Sequence, residues 1–233
     1  NGIKMGRFQV SVSECLMGHM HTRTRQMLER AVQELVASIQ PGDFFSLLAF
    51  LPYTGEGRRE ALEDIRNDVA DKIGVPSCLE VGPRYLHSTG QLHKGGKNNG
   101  VFLILSADEM DDIKLDSRAK SMGTLAKAQA AGDFITLSER GRRCLYINLP
   151  DNTGVTLRAL EKVVKHAAEK AAGAEFFETV GWERPFWYAS NEALLGEYGD
   201  AVMPREHEWD ARWWSPIINA EHLRMREAAA WAL

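Results

Sequence analysis

The densest run of chemistry-bearing residues in the chain is Gly82-Pro-Arg-Tyr-Leu-His-Ser-Thr-Gly-Gln-Leu-His-Lys-Gly-Gly-Lys-Asn-Asn-Gly100. It holds Arg84, His87, Ser88, Thr89, Gln91, His93, Lys94 and Lys97 among its glycines. Glycines allow backbone N–H groups to approach an anion, and serine and threonine hydroxyls add donors. Arginine and lysine supply the charge that a phosphate needs. A histidine beside them can move a proton near neutral pH. The set predicts a site for a phosphorylated small molecule, with a solvated turn carrying surface histidines as the alternative. It is not a nucleoside-triphosphate loop: Gln91 stands where the first glycine of that motif belongs, and Asn98 follows Lys97 in place of a hydroxyl residue.

Two other groupings carry less. Cys15, His19 and His21 offer soft ligands at close spacing, but no fourth ligand lies nearby, so a cap region before the first helix is expected. No metal and no cofactor is expected anywhere in the chain. Arg140, Arg142 and Arg143 form a basic cluster, predicted to be a solvated face leading into a strand rather than a phosphate contact. The three cysteines, Cys15, Cys78 and Cys144, are too few and too scattered for a disulfide framework. Reduced thiols and a cytoplasmic location are the expectation.

The elements that must position these residues follow from periodicity. Apolar spacing of i, i+3, i+4 predicts helices over 22–39, 58–73 and 156–171, and short helices over 122–131 and 134–139 on either side of Gly132. Apolar runs predict strands over 44–51, 78–81, 101–105 and 144–149. The stretch 82–100 is expected to be a polar, glycine-rich loop, and 108–112 a solvated acidic one. Helices alternating with near-continuous apolar strands imply an α/β fold, a mainly parallel sheet flanked by helices. In such a sheet ligands sit in loops at the carboxyl ends of the strands.

The 233 residues amount to 26.1 kDa, with 44% hydrophobic and 26% charged residues, which excludes collagen, coiled coil and low-complexity disorder. No apolar run approaches the roughly 18–20 residues of a membrane helix, and a net charge of −4 gives no general attraction to nucleic acid. Neither membrane nor nucleic acid is expected as a partner. The average conceals a break after Gly173. Residues 1–173 carry every lysine and a net charge of +2, whereas residues 174–233 carry no lysine, a net charge of −6 and all six tryptophans. We therefore divide the chain into an α/β domain, 1–173, and a Trp-rich, partly helical extension, 174–233, with helices expected over 192–198 and 218–231. The extension has few elements with which to build a core. Asn1 opens the chain, and an apolar helical pattern closes it without a cap. A trimmed chain or a fragment of a longer gene product is expected.

The strings GPRYLHSTGQLHKGGKNNGVFLIL and GTLAKAQAAGDFITLSERGRRCLYINL, with GDFFSLLAFL from Gly42, resemble the C-terminal end of glucose-6-phosphate isomerase in bacterial bifunctional transaldolase/glucose-6-phosphate isomerase fusions. The resemblance is densest over about 42–150 and extends over about 1–172. It implies a sugar-isomerase-like subdomain that binds a sugar phosphate and belongs to an intramolecular aldose–ketose isomerase. It also implies His87 as the ring-opening histidine, Gln91 as a polar group on the substrate side, and Arg84, Ser88, Thr89 and Lys94 as anion contacts. The family's proton-shuttling glutamate, in a Glu-Ser-x-Gly-Lys type motif, is absent, as is its Asn-Pro-Phe-Asp-Gln-Pro segment. An incomplete isomerase domain follows, weakly active or inactive alone, with a second copy or a missing upstream isomerase half as its protein partner.

The extension has its own resemblance. GWERPFWYASNEALLGEYGDAV and the later EHLRMR are similar to the start of the aminomethyltransferase-like domain of dimethylglycine and sarcosine dehydrogenase-type proteins. That implies a one-carbon-transfer fragment as one alternative function. The family's folate-binding residues lie beyond the matched stretch. A non-catalytic interaction module using the tryptophans is the other alternative.

Overall fold

The computed structural model describes residues 8–17, 27–53, 55, 57–109, 113–114, 121–179, 182–202 and 215–230. The chain forms two compact units, 1–168 and 169–233. In the first, β1 (Gln9–Val12), α1 (Glu14–Met17), α2 (Met27–Ala37), β2 (Phe44–Ala49), α3 (Arg58–Ile73), β3 (Ser77–Val81), a 3-10 turn (Arg84–His87), α4 (Thr89–Gly95), β4 (Gly100–Glu109), α5 (Met122–Glu139), β5 (Arg143–Asp151) and α6 (Gly154–Ala171) follow in order. The five strands lie in the order β1-β5-β4-β2-β3. Strands β3, β2, β4 and β5 are parallel, and β1 runs antiparallel on the far edge.

Alternate residues of the central strands serve two cores. Phe45, Leu47, Val101, Leu103, Leu145 and Ile147 face α2, α3 and α6. Leu48, Phe50, Phe102, Ile104 and Tyr146 face the other way, against Tyr85, Ala130 and Leu137. Both faces of the sheet are covered, which is why its strands read as nearly unbroken apolar runs. The turn from α3 into β3 is set by a left-handed Gly74 that closes α3, its N–H returned to the Ala70 carbonyl. Among the described residues no helix is long and apolar enough to cross a membrane.

Three expectations need correction. Residues 82–100 are not a loop but a 3-10 turn and a helix, because Tyr85, Gly90 and His93 form a buried inner face. Their glycines serve close packing: a Cβ on Gly82 would stand 2.5 Å from the Phe50 ring, and one on Gly90 would stand 2.9 Å from the Tyr85 carbonyl oxygen. Helix α5 runs unbroken through Gly132, whose helix penalty of about 1 kcal/mol is outweighed by the burial of Ala130 and Leu137. Asp108 belongs to β4 rather than to an acidic loop, while 110–112 lie outside the described residues. The expected helix start at 22–26 also lies outside them.

The second unit contains a hairpin that the sequence does not announce, β6 (Ala174–Thr179) with β7 (Trp182–Tyr188), interrupted by an irregular register between Glu175 and Phe176. Helices Leu194–Tyr198 and Pro216–Ala230 follow. Glu221 accepts from the Tyr188 N–H at 2.9 Å and the Asn191 amide at 2.7 Å, tying the hairpin to the last helix. Tyr198, Ile217, Ile218 and Ala220 are buried. Trp209, Trp213, Trp214 and Trp231 lie outside the described residues.

At the amino edge of the sheet, Arg143 donates to Asp43 at 2.8 Å and to the Ser38 carbonyl at 2.5 Å, and the Gln40 N–H donates to the same carboxylate at 2.7 Å. The Arg143 hydrogen bond holds the Asp43 carboxyl below its ordinary value of 3.8, against the opposing effect of burial. A depressed native pKa adds stability that is present above the unfolded value and disappears as pH falls through the native one. Asp43→Asn is expected to cost about 1–3 kcal/mol near neutral pH, and its deficit should shrink below pH 3.8. Urea midpoints of both proteins across that range check this. In the same assay Gly82→Ala should lose about 1–3 kcal/mol from overpacking against Phe50.

Candidate functional site

From β2 the chain winds outward to β3, then crosses back to β4 and on to β5. The winding direction therefore reverses between β2 and β4. In doubly wound sheets ligands bind outside the carboxyl ends of the strands at such a reversal. The 3-10 turn leaves the carboxyl end of β3 beside it, and carries Arg84, His87 and Ser88, all exposed. Among the described residues neither Arg84 nor His87 makes a side-chain hydrogen bond or ion pair.

The other predicted contacts are engaged within the fold. Ser88 Oγ donates to the Tyr85 carbonyl at 3.3 Å, Thr89 Oγ1 to Glu80 at 2.6 Å, and Gln91 Nε2 to the Leu86 carbonyl at 3.0 Å. Lys94 Nζ lies 2.5 Å from Asp133, whose side chain is only 2% exposed. Asp133 also accepts from the Tyr85 hydroxyl at 2.7 Å. Burial, then the neighbouring carboxylate, pushes the Tyr85 phenol far above its ordinary pKa, so it remains a donor.

Helix α4 therefore descends across the sheet from its carboxyl toward its amino edge. Asn98 reaches the Gly141 carbonyl ahead of β5, and Asn99 the Gly42 carbonyl ahead of β2. Buried Arg142 closes α4, donating to the carbonyls of Lys94 at 3.0 Å and Gly96 at 2.6 Å. A cation at a helix C-terminus offsets its dipole and its unpaired carbonyls. The basic cluster is thus not a solvated face: Arg142 caps α4 and Arg143 binds Asp43. The backbone N–H groups of Gly82, Ser88, Gln91, Gly96 and Asn99 are all satisfied within the chain, so they do not form an open anion cradle.

Two polar groups escape sequence inspection. At the carboxyl ends of β4 and β5, the buried Ser106 hydroxyl pairs with the Tyr146 hydroxyl at 2.7 Å and donates to the Asn148 side-chain Oδ1 at 2.7 Å. Asn148 is buried beside them, and its side chain, after Lys127, helps lower the Asp108 pKa. Asp108, its pKa lowered chiefly by Lys127, sits on the same strand face. On the edge strand, Cys78 and Glu80 face His93 of α4. The signal available was polar residues at i and i+2 in otherwise apolar strands; their convergence needs the strand register.

No protein-family model matches the chain. Among solved structures it is similar to a hypothetical protein from Thermus thermophilus, at 14% identity and a TM-score of 0.46. The match covers 63% of this chain and spans 43% of that one.

Lys94→Met leaves the buried Asp133 carboxylate with Tyr85 alone. We expect a loss of about 1–3 kcal/mol, or roughly 2–12 °C in melting temperature, without any ligand. A double-mutant cycle with Asp133→Asn should show coupling above about 0.5 kcal/mol. A lysine serving only a solvated surface would fall within ±0.5 kcal/mol by itself.

Proposed function

We propose that the first unit is a sugar-phosphate-binding domain of the sugar-isomerase type, related to the glucose-6-phosphate isomerase region of the transaldolase/isomerase fusions. The long shared strings support this reading, and the doubly wound strand order is compatible with it. The observation that carries it is the position of Arg84 and His87, exposed and uncommitted on the turn beside the carboxyl edge. Arg84 supplies a planar cation for a phosphate. In this reading His87 gives a proton to the sugar's ring oxygen as that oxygen's bond to the anomeric carbon breaks, and the anomeric hydroxyl loses its proton to water as the carbonyl forms.

Moving a proton between C1 and C2 then needs a carboxylate base. The glutamate motif that supplies it in the family is missing from this sequence. Without a placed base the rate falls by about 10²–10⁴-fold. The chain alone is therefore a binding domain with little or no turnover, and the base would come from a second copy or an upstream isomerase half. A cytoplasmic setting accords with this reading and with three cysteines that are all free thiols.

A thermal-shift titration with fructose 6-phosphate, with inorganic phosphate as control, tests the proposal. At a hundredfold excess over Kd the ligand adds about 2.7 kcal/mol, or roughly 5–11 °C. Arg84→Ala and His87→Ala should abolish the shift while melting like the parent, and the parent should show no measurable conversion of fructose 6-phosphate. A cooperative melt that fructose 6-phosphate leaves unmoved, or a shift that survives Arg84→Ala, would refute it.

A further inference from the structure

His93 is the most buried histidine among the described residues, at 5% exposure. Aromatic rings enclose it, with centroids at 5.0 Å for Phe102 and 6.0 Å for both Phe44 and Tyr85. Its Nδ1 is buried without a hydrogen-bond partner. Its Nε2 lies 3.9 Å from Glu80 Oε1, beyond hydrogen-bonding length. Burial lowers the His93 pKa more than Glu80 raises it, so the ring is neutral and this contact is not a charge pair. Nε2 is thus the ring nitrogen turned toward a polar group, at a distance too long for a hydrogen bond.

Cys78 and Glu80 project from the same face of β3, and one ligand atom each of Cys78, Glu80 and His93 lies within 4.8 Å of the other two. We propose that Cys78 Sγ, a Glu80 carboxylate oxygen and His93 Nε2 form a three-ligand site for one divalent transition-metal ion of the zinc class. This proposal does not depend on the sugar-phosphate reading. A thiolate, an imidazole and a carboxylate are the donors zinc takes, at about 2.0–2.3 Å, which places tetrahedral neighbours about 3.3–3.6 Å apart. Closing from the present spacing needs shifts of about 1 Å, available at an edge strand where Cys78 and Glu80 are partly exposed.

The surroundings resemble an outer shell. Thr89 Oγ1 donates to Glu80 Oε2 at 2.6 Å, which orients the carboxylate and leaves Oε1 toward His93. The Cys78 thiol donates to buried Ser46 at 3.2 Å. Partners of this kind fix ligand geometry in metal sites. Burial raises the thiol's pKa in the free protein, so metal binding must release its proton and strengthen as pH rises.

The test uses the full chain, stripped with a chelator and titrated with Co²⁺ and then Zn²⁺. We expect one equivalent bound, with a thiolate-to-cobalt charge-transfer band in the near ultraviolet. Cys78→Ser should remove that band, and Cys78→Ser and Glu80→Gln should each weaken Zn²⁺ by at least about tenfold. His93→Gln alters a buried ring and can damage the fold, so the two strand variants, with their circular dichroism checked, carry the test. Absence of stoichiometric Zn²⁺ binding overturns the site. So does a charge-transfer band that persists in Cys78→Ser and disappears in Cys15→Ser, which would assign the metal to Cys15 instead.

Discussion

The arrangement of this domain depends on one buried carboxylate. Asp133, in the middle of α5, accepts from Tyr85 on the 3-10 turn and pairs with Lys94 on α4. A carboxylate taken out of water must be matched closely, and removing either partner exposes the full penalty. The two contacts therefore hold both ends of the segment between β3 and β4 against α5. Arg142 completes the restraint by closing the carboxyl end of α4. With these in place α4 can follow only one path, down the sheet face, with His93 turned inward.

That path divides the segment by function. Its first part, Gly82 to Ser88, stays at the carboxyl edge beside the winding reversal, where Arg84 and His87 remain uncommitted. Its last part reaches the amino edge, where Lys94, Asn98 and Asn99 are spent on the fold. Lys94, which the family resemblance offers as an anion contact, is a structural cation here. The midpoint brings His93 beside Cys78 and Glu80. The course of α4 thus accounts both for the pairing of Lys94 with Asp133 and for the meeting of His93 with Cys78 and Glu80.

Much of this was legible in the sequence where the physics is local. The strands over 44–51, 101–105 and 144–149 stood out because helices bury both of their faces. Helix α3 ended where Gly74 permits a left-handed cap. The antiparallel β1 did not stand out, because it is four residues long and alternates between half-buried and exposed. Helix α4 was hidden by glycines that usually signal loops but here admit the Phe50 ring and the Tyr85 carbonyl. The exposed Arg84 and His87 could be picked out by residue type. The pairing of Lys94 with Asp133, and of His93 with Cys78 and Glu80, could not, since those contacts exist only once α4 lies across the sheet.

The central claim is that a sugar phosphate contacts the front of the 82–100 segment and not the back. Backbone amide chemical-shift mapping of the isotope-labelled chain during titration with fructose 6-phosphate addresses it directly. The account predicts saturable shifts at Gly82 to Ser88 and at the carboxyl ends of β2 and β4, with the amides of Lys94 to Asn99 and Arg140 to Arg143 unmoved. Saturable shifts centred on Lys94 to Asn99 and the arginine cluster, with Arg84 and His87 silent, would contradict it.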